Sequence, residues 1–223
     1  MAKTPSEKSR VLIVDDHPLF REGMRQMIDR SPPLKVCGEA ANPADAMKAV
    51  ADLEPDLVLV DISLDGGDGI DLIQSLKAKY EDLPILVISM HNESLYAERA
   101  LRAGALGYVM KNEPARTVKA AIFKVLGGDI FVSDKMSAAL LSRSLHGKNE
   151  APLSPVEQLS NRELQVFQML GEGKPSRQIA EELDLTIPTI HSFRTRIKEK
   201  LRFQNATELV LRANQWVRER ASK

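Results

Sequence analysis

Three carboxylates, a hydroxyl and a lysine recur at intervals that a phosphoryl-transfer site would need. Asp15 and Asp16 close the run VLIVDD, Asp61 closes LVLVD, Ser89 ends ILVIS, and Lys111 lies just past GYVM. Carboxylates packed together repel one another, and some stay protonated unless a cation relieves them. Mg2+ suits such a set, since it takes one or two carboxylates and fills its shell with water and phosphate oxygens. A nucleophilic carboxylate can then accept a phosphoryl group while the cation and Lys111 neutralise charge and Ser89 supplies a hydroxyl. Singly these residues say little, because an Asp at a strand end usually caps a helix and a loop lysine is usually solvated. Their weight comes from falling together at one edge.

Five short strand-like runs bring that edge about, all but Lys35–Ala40 nearly all apolar: Val11–Asp15, Lys35–Ala40, Leu57–Asp61, Ile85–Ser89 and Gly107–Met110. Such runs fit strands buried on both faces. Between them lie helical patterns over Pro18–Arg30, Pro43–Leu53 behind an Asn42 cap, Gly69–Lys79, Ser94–Ala103 and Pro114–Leu126. Alternating strands and helices imply a parallel five-stranded, doubly wound α/β domain with right-handed crossovers, whose reactive edge is the carboxyl ends of the strands. No GxGxxG follows the first strand, so a dinucleotide fold has no support.

The chain carries 31 basic and 31 acidic residues, yet the halves differ. Residues 1–130 hold 16 basic against 20 acidic, and residues 131–223 hold 15 against 11. An acidic half joined to a basic one suggests two domains with different partners. The expected organisation is one domain over 9–130, a linker over 131–158 with a short helix at 131–143, and a second domain over 159–223. That second domain shows helix signals only. Ser160–Glu163 and Asn205–Glu208 read as capping boxes, Gly171 and Gly173 as the end of the first helix, and Ser176–Leu183 and Pro188–Arg202 as helices across a tight turn. On the longer helix Ile190, Phe193, Ile197 and Leu201 form an inward face. His191, Ser192 and Thr195 lie opposite, where a major groove would be entered, and Arg194, Arg196, Lys198 and Lys200 flank them within reach of phosphates.

The segments VLIVDDHPLFREGM, LVLVDISLDGGDGIDLI, ILVISM and ALGYVMK resemble the receiver domain of response regulators, over about residues 9–130. The resemblance implies a flavodoxin-like (CheY-like) sheet of order 2-1-3-4-5. It implies that Asp61 receives a phosphoryl group from a sensor histidine kinase. Mg2+ is then held by Asp16, Asp61 and the Ser63 backbone carbonyl, with Asp15 helping, while Lys111 and Ser89 bind the phosphoryl group and Tyr108 acts as the inward-turning switch. Residues 159–220, LSNRELQVFQML through IKEKL, resemble the four-helix LuxR-type helix-turn-helix of the NarL/FixJ family, with Arg162-Glu163, Gln178-Ile179-Ala180 and Thr189 carrying the pattern. Together they imply a cytoplasmic transcription factor, without membrane contact, that dimerises on phosphorylation, binds double-stranded operator DNA and works with RNA polymerase.

Two departures matter. After Asp61 the family's Met-Pro is replaced by Leu64-Asp65-Gly66-Gly67, which predicts a looser loop and an extra acid near the pocket. His191 stands where the family usually has Lys, and Phe193 where it often has His, so the operator is expected to differ. A carboxylate-nucleophile phosphohydrolase is the alternative from another class, but no cap domain is visible and a basic helix-turn-helix has no role in one. A third reading is DNA binding independent of phosphorylation. The polar N-terminus shows no secretory signal, and one cysteine excludes an intramolecular disulfide. Met24, Met27, Met90 and Met110 read as core filler, His17 as no ligand, Cys37 as buried and inert, and Trp216 as packing the last helix.

Overall fold

A computed structural model of the chain describes residues 8–145 and 155–221, so residues 146–154 of the expected linker lie outside the described residues. The chain divides into two compact units between Leu145 and His146.

The first unit is a parallel sheet in the order β2-β1-β3-β6-β7, formed by β1 (Ser9–Val14), β2 (Leu34–Ala40), β3 (Leu57–Val60), β6 (Ile85–Ser89) and β7 (Gly107–Met110). Val11, Leu12, Leu57, Val58, Ile85 and Leu86 are fully buried, as strands covered on both faces require. Helices α1 (Pro18–Asp29), α2 (Pro43–Leu53), α3 (Gly69–Lys79), α4 (Glu93–Arg102) and α5 (Ala115–Leu126) fill the crossovers. Side-chain caps start three of them: Asn42 for α2, Asp68 for α3 and Asn92 for α4.

Between β3 and α3 the loop expected to be loose is a two-residue hairpin, β4 (Ser63–Leu64) against β5 (Gly67–Asp68). Leu64 drops into the core, fully buried, and Gly66 takes the turn at φ 68°. Asp65 points to solvent at its tip. Gly69 then begins α3 hard against the backbone that follows β3, since a Cβ there would stand 2.0 Å from the Asp61 carbonyl oxygen.

Beyond α5 the chain returns to the sheet at Phe131 before α6 (Asp134–Leu145), which packs on α4. The second unit is all helical: a 3-10 turn at Pro155–Gln158, then α7 (Asn161–Gly171), α8 (Ser176–Glu182), α9 (Ile187–Leu201) and α10 (Ala206–Ala221). The Trp216 ring lies tilted against that of Phe167, 5.6 Å between centres, and packs the last helix on α7. α7 ends at Gly171 with Gly173 at φ 84° just beyond, as expected, and Gly171 is also a contact point, since a Cβ would meet the Ala213 carbonyl oxygen at 2.4 Å. Two expectations about single residues change. Met90 is 67% exposed, just past the buried end of β6, and Cys37 is half-buried, with burial pushing its thiol pKa up. No described helix is long and apolar enough to cross a membrane.

Candidate functional site: an acidic pocket and a helix-turn-helix

The ends of β1, β3, β6 and β7 converge. Asp15 and Asp61 are 2% and 3% exposed, an arrangement two carboxylates do not tolerate without a counter-charge. Lys111 supplies it from beyond β7, its ammonium 2.6 Å from Asp15 Oδ2 and 2.8 Å from Asp61 Oδ2. The same ammonium lies 4.4 Å from the centre of the Phe20 ring on α1. Burial works against the Lys111 charge, but Asp61 and Asp15 outweigh it and hold its pKa above the ordinary value. Burial and the neighbouring Asp61 raise the Asp15 pKa, against the pull of Lys111.

Asp16 is partly exposed at the rim. The His17 ring turns toward the pair, its Nδ1 2.6 Å from Asp16 Oδ1 and 3.2 Å from Asp15 Oδ1. Asp15, Asp16, His17 and Asp61 each offer an atom within 4.8 Å of the others, close enough to share one ion. Asp61 Oδ1 is buried with no hydrogen-bond partner among the described residues. A buried oxygen that accepts nothing from the protein is what a cation ligand looks like before the ion is added, so the residues present fit Mg2+.

Ser89 is fully buried at the end of β6, and its hydroxyl accepts the His91 N–H at 3.3 Å. Tyr108 lies inward, 1% exposed, and donates its hydroxyl to the His91 carbonyl at 2.7 Å. Burial pushes the Tyr108 pKa far up, against a smaller opposing effect of Ser89. Ser63 sits in β4 with its hydroxyl 2.8 Å from His91 Nε2.

In the second unit, α8 and α9 are joined by residues 183–186, with Asp184 in the left-handed region at φ 51° and Thr186 capping α9. Ile190, Ile197 and Leu201 are buried and Phe193 half-buried, so the inward face is as expected. His191, Ser192, Thr195 and Arg196 are exposed on the other side, and Lys198 is half-buried. Four of the expected DNA contacts already have partners inside the unit. The Thr189 hydroxyl lies 2.8 Å from that of Thr186, and the Ser192 hydroxyl donates to the Pro188 carbonyl at 3.1 Å. Arg194 donates to Ser176 Oγ at 2.7 Å, tying α9 to the start of α8. Lys200 reaches back to Glu163 Oε2 at 2.6 Å.

Residues 11–123 match the family described as the response regulator receiver domain, and residues 157–213 match the bacterial regulatory proteins of the luxR family. The chain belongs to the two-component response regulators with a LuxR-type DNA-binding domain. It is 31% identical to the transcriptional regulatory protein LiaR of Bacillus subtilis over 205 residues, covering 92% of this chain and 96% of LiaR. It is 34% identical to the response regulator UvrY of Escherichia coli K12, covering 89% and 90%. Among solved structures, the RcsB response regulator of Salmonella typhimurium matches at TM-score 0.56 and 26% identity, over 93% of this chain and 98% of that one. An RcsB–DNA complex matches at TM-score 0.56 and 26% identity, over 92% and 96%.

Within this response regulator, sequence reasoning missed two residues. His91 joins Ser63, Ser89 and Tyr108, and its ring lies 4.7 Å from that of Tyr96. Nothing in its local sequence marks it, because Ser63 and Tyr108 reach it from other strands. Glu163 was legible as a capping-box residue, and it does accept the Ser160 N–H at 2.7 Å. Its second role, holding Lys200 of the recognition helix, is tertiary. Burial opposes the Glu163 charge, but Lys200 and Ser160 together draw its pKa below the ordinary 4.5.

Proposed function

We propose that Asp61 is the phosphoacceptor of this response regulator, and that its phosphorylation by a sensor histidine kinase promotes dimerisation and sequence-specific DNA binding. An Asp61 oxygen attacks phosphorus, the phosphorus–nitrogen bond to the kinase histidine breaks, and the imidazole keeps the electron pair. Asp15, Asp16, Asp61 and the Ser63 carbonyl would hold Mg2+, which supplies charge neutralisation for the phosphoryl oxygens. Lys111 balances the same charge from the other side, and the Ser89 hydroxyl donates to a phosphoryl oxygen. Tyr108, inward over the space beside Ser89, reports the change at the α4–β7 surface. His191, Ser192, Thr195 and Arg196, with Thr189 and Lys198 beside them, face DNA, two recognition helices reading two half-sites. Arg194 and Lys200 serve chiefly to hold α9 in place. The receiver performs only its own phosphoryl transfer and release, and the chain is a transcriptional regulator.

The observation that carries this reading is the buried Asp61 oxygen without a protein partner, beside a buried Asp15 and Lys111. Intact-mass measurement after incubation with Mg2+ and acetyl phosphate tests it. Wild type should gain one phosphoryl group and Asp61→Asn none. A wild type that stays at its starting mass, folded and with an active donor, overturns it.

A further inference from the structure

The segment after α5 is bonded to the switch. Phe131 forms a parallel bridge with Gly107, donating its N–H to the Leu106 carbonyl at 2.9 Å and accepting the Tyr108 N–H at 2.8 Å. Gly107 permits the approach, since a Cβ there would stand 2.8 Å from the Phe131 carbonyl oxygen. Two residues on, the Ser133 N–H donates to Glu93 Oε1 at 2.8 Å. The Ser133 hydroxyl and carbonyl then accept the N–H groups of Met136 and Ser137, at 3.2 and 2.9 Å, and so open α6. The start of α6 is therefore pinned by a carboxylate at the first residue of α4.

Glu93 belongs to the same short turn as Ser89 and His91. The Ser89 hydroxyl accepts from His91, the His91 carbonyl accepts from Tyr108, and the Glu93 carboxylate accepts from Ser133. These grips sit on alternate residues of one five-residue stretch, so the stretch cannot follow Ser89 without moving Glu93. A phosphoryl oxygen on Asp61 would draw Ser89 toward the acceptor and the turn with it, away from Ser133. The α4 cap does not depend on Glu93, because Asn92 accepts the Ser94 N–H at 2.9 Å.

We propose that residues 129–133 form a strap that reads the state of the acceptor site. Phosphorylation at Asp61 loosens its bond to Glu93 and frees the start of α6, the last described helix before the DNA-binding unit in the chain. The proposal rests on the reading of Asp61 as phosphoacceptor.

Hydrogen exchange followed by mass spectrometry on the full-length protein, with Mg2+ and with or without beryllofluoride, tests it in wild type, Glu93→Ala and Glu93→Gln. In wild type the Ser133 amide should exchange on the order of tenfold faster with beryllofluoride, as expected for losing one hydrogen bond to a charged group. Glu93→Ala should exchange fast from the outset and show no further response. Glu93→Gln keeps an acceptor oxygen and should restore the response. All three should gain one phosphoryl group from acetyl phosphate. Exchange at Ser133 that is unchanged or slowed in a wild type that does gain the group overturns the strap alone, as does a Glu93→Ala variant that behaves as wild type. A wild type that gains no phosphoryl group overturns the Asp61 reading and the strap with it.

Discussion

Glu163 shows how one carboxylate can serve two elements. It is almost fully buried, caps α7 through the Ser160 N–H and holds the Lys200 ammonium at 2.6 Å. Its pKa is drawn below 4.5, so its stabilisation is fully present above that value and is lost as pH falls through the lowered one. Glu163→Gln should therefore lower the thermal midpoint of the full-length protein near neutral pH, by an amount equivalent to roughly 2 kcal/mol for a lost charged hydrogen bond. The gap between variant and wild type should close as pH is taken down past the carboxylate range. A gap independent of pH would mean that the side chain acts by packing alone. The Ser160–Glu163 half of this arrangement was legible, because a capping box is local. The Lys200 half was not, since only the fold brings together residues 37 positions apart. His91 was illegible for the same reason, whereas Asp15, Asp61 and Lys111 could be read because strand ends in a parallel sheet must converge.

Among the elements, the recognition helix separates side chains that face outward from those that hold the helix. Arg196 is exposed, while Lys200 is bonded to Glu163 and Arg194 to Ser176. Arg196→Ala should weaken operator binding and flatten its salt dependence by about 0.9 in log–log slope, the share of one phosphate contact. Lys200→Ala should reduce the stability of the unit and leave that slope near the wild-type value. Fluorescence anisotropy across a salt series distinguishes the two, and equal slopes for both variants would place Lys200 on the DNA. From sequence the helix's two faces were readable by period, but a basic residue bonded inward looks the same in sequence as one facing a phosphate. The β4–β5 hairpin was missed similarly. Its two glycines suggested slack, while burial of Leu64 decides the shape. The three central strands were legible because each is buried on both faces and so reads as an apolar run, whereas β2, at the sheet edge, is only partly buried.

At the scale of the molecule, an acidic pocket in the receiver unit and a helix-turn-helix in the other unit are joined through residues 146–154. If phosphorylation tightens DNA binding, thermodynamic linkage demands the converse, by the same factor. Beryllofluoride should therefore bind more tightly in the presence of saturating operator DNA, and titrations of each ligand with and without the other should give one common coupling factor, within about 5–150-fold. A factor of one in both directions would leave the two units uncoupled and favour DNA binding independent of the receiver. The charge split between the halves suggested two domains, as found, but charge alone could not say that α6 packs on α4 in the first unit.

The return of the chain at Phe131 has another consequence. Without it, β7 would end the sheet with the Tyr108 N–H and the Leu106 carbonyl open to any passing strand, a template for joining chains edge to edge. By laying Phe131 across that rim, the protein covers part of it with its own backbone. Protection of the sheet's free edge thus comes from residues beyond the last helix of the receiver's α/β fold. A chain ending at Leu126 would keep every residue of the acidic pocket and lose the protection of its border.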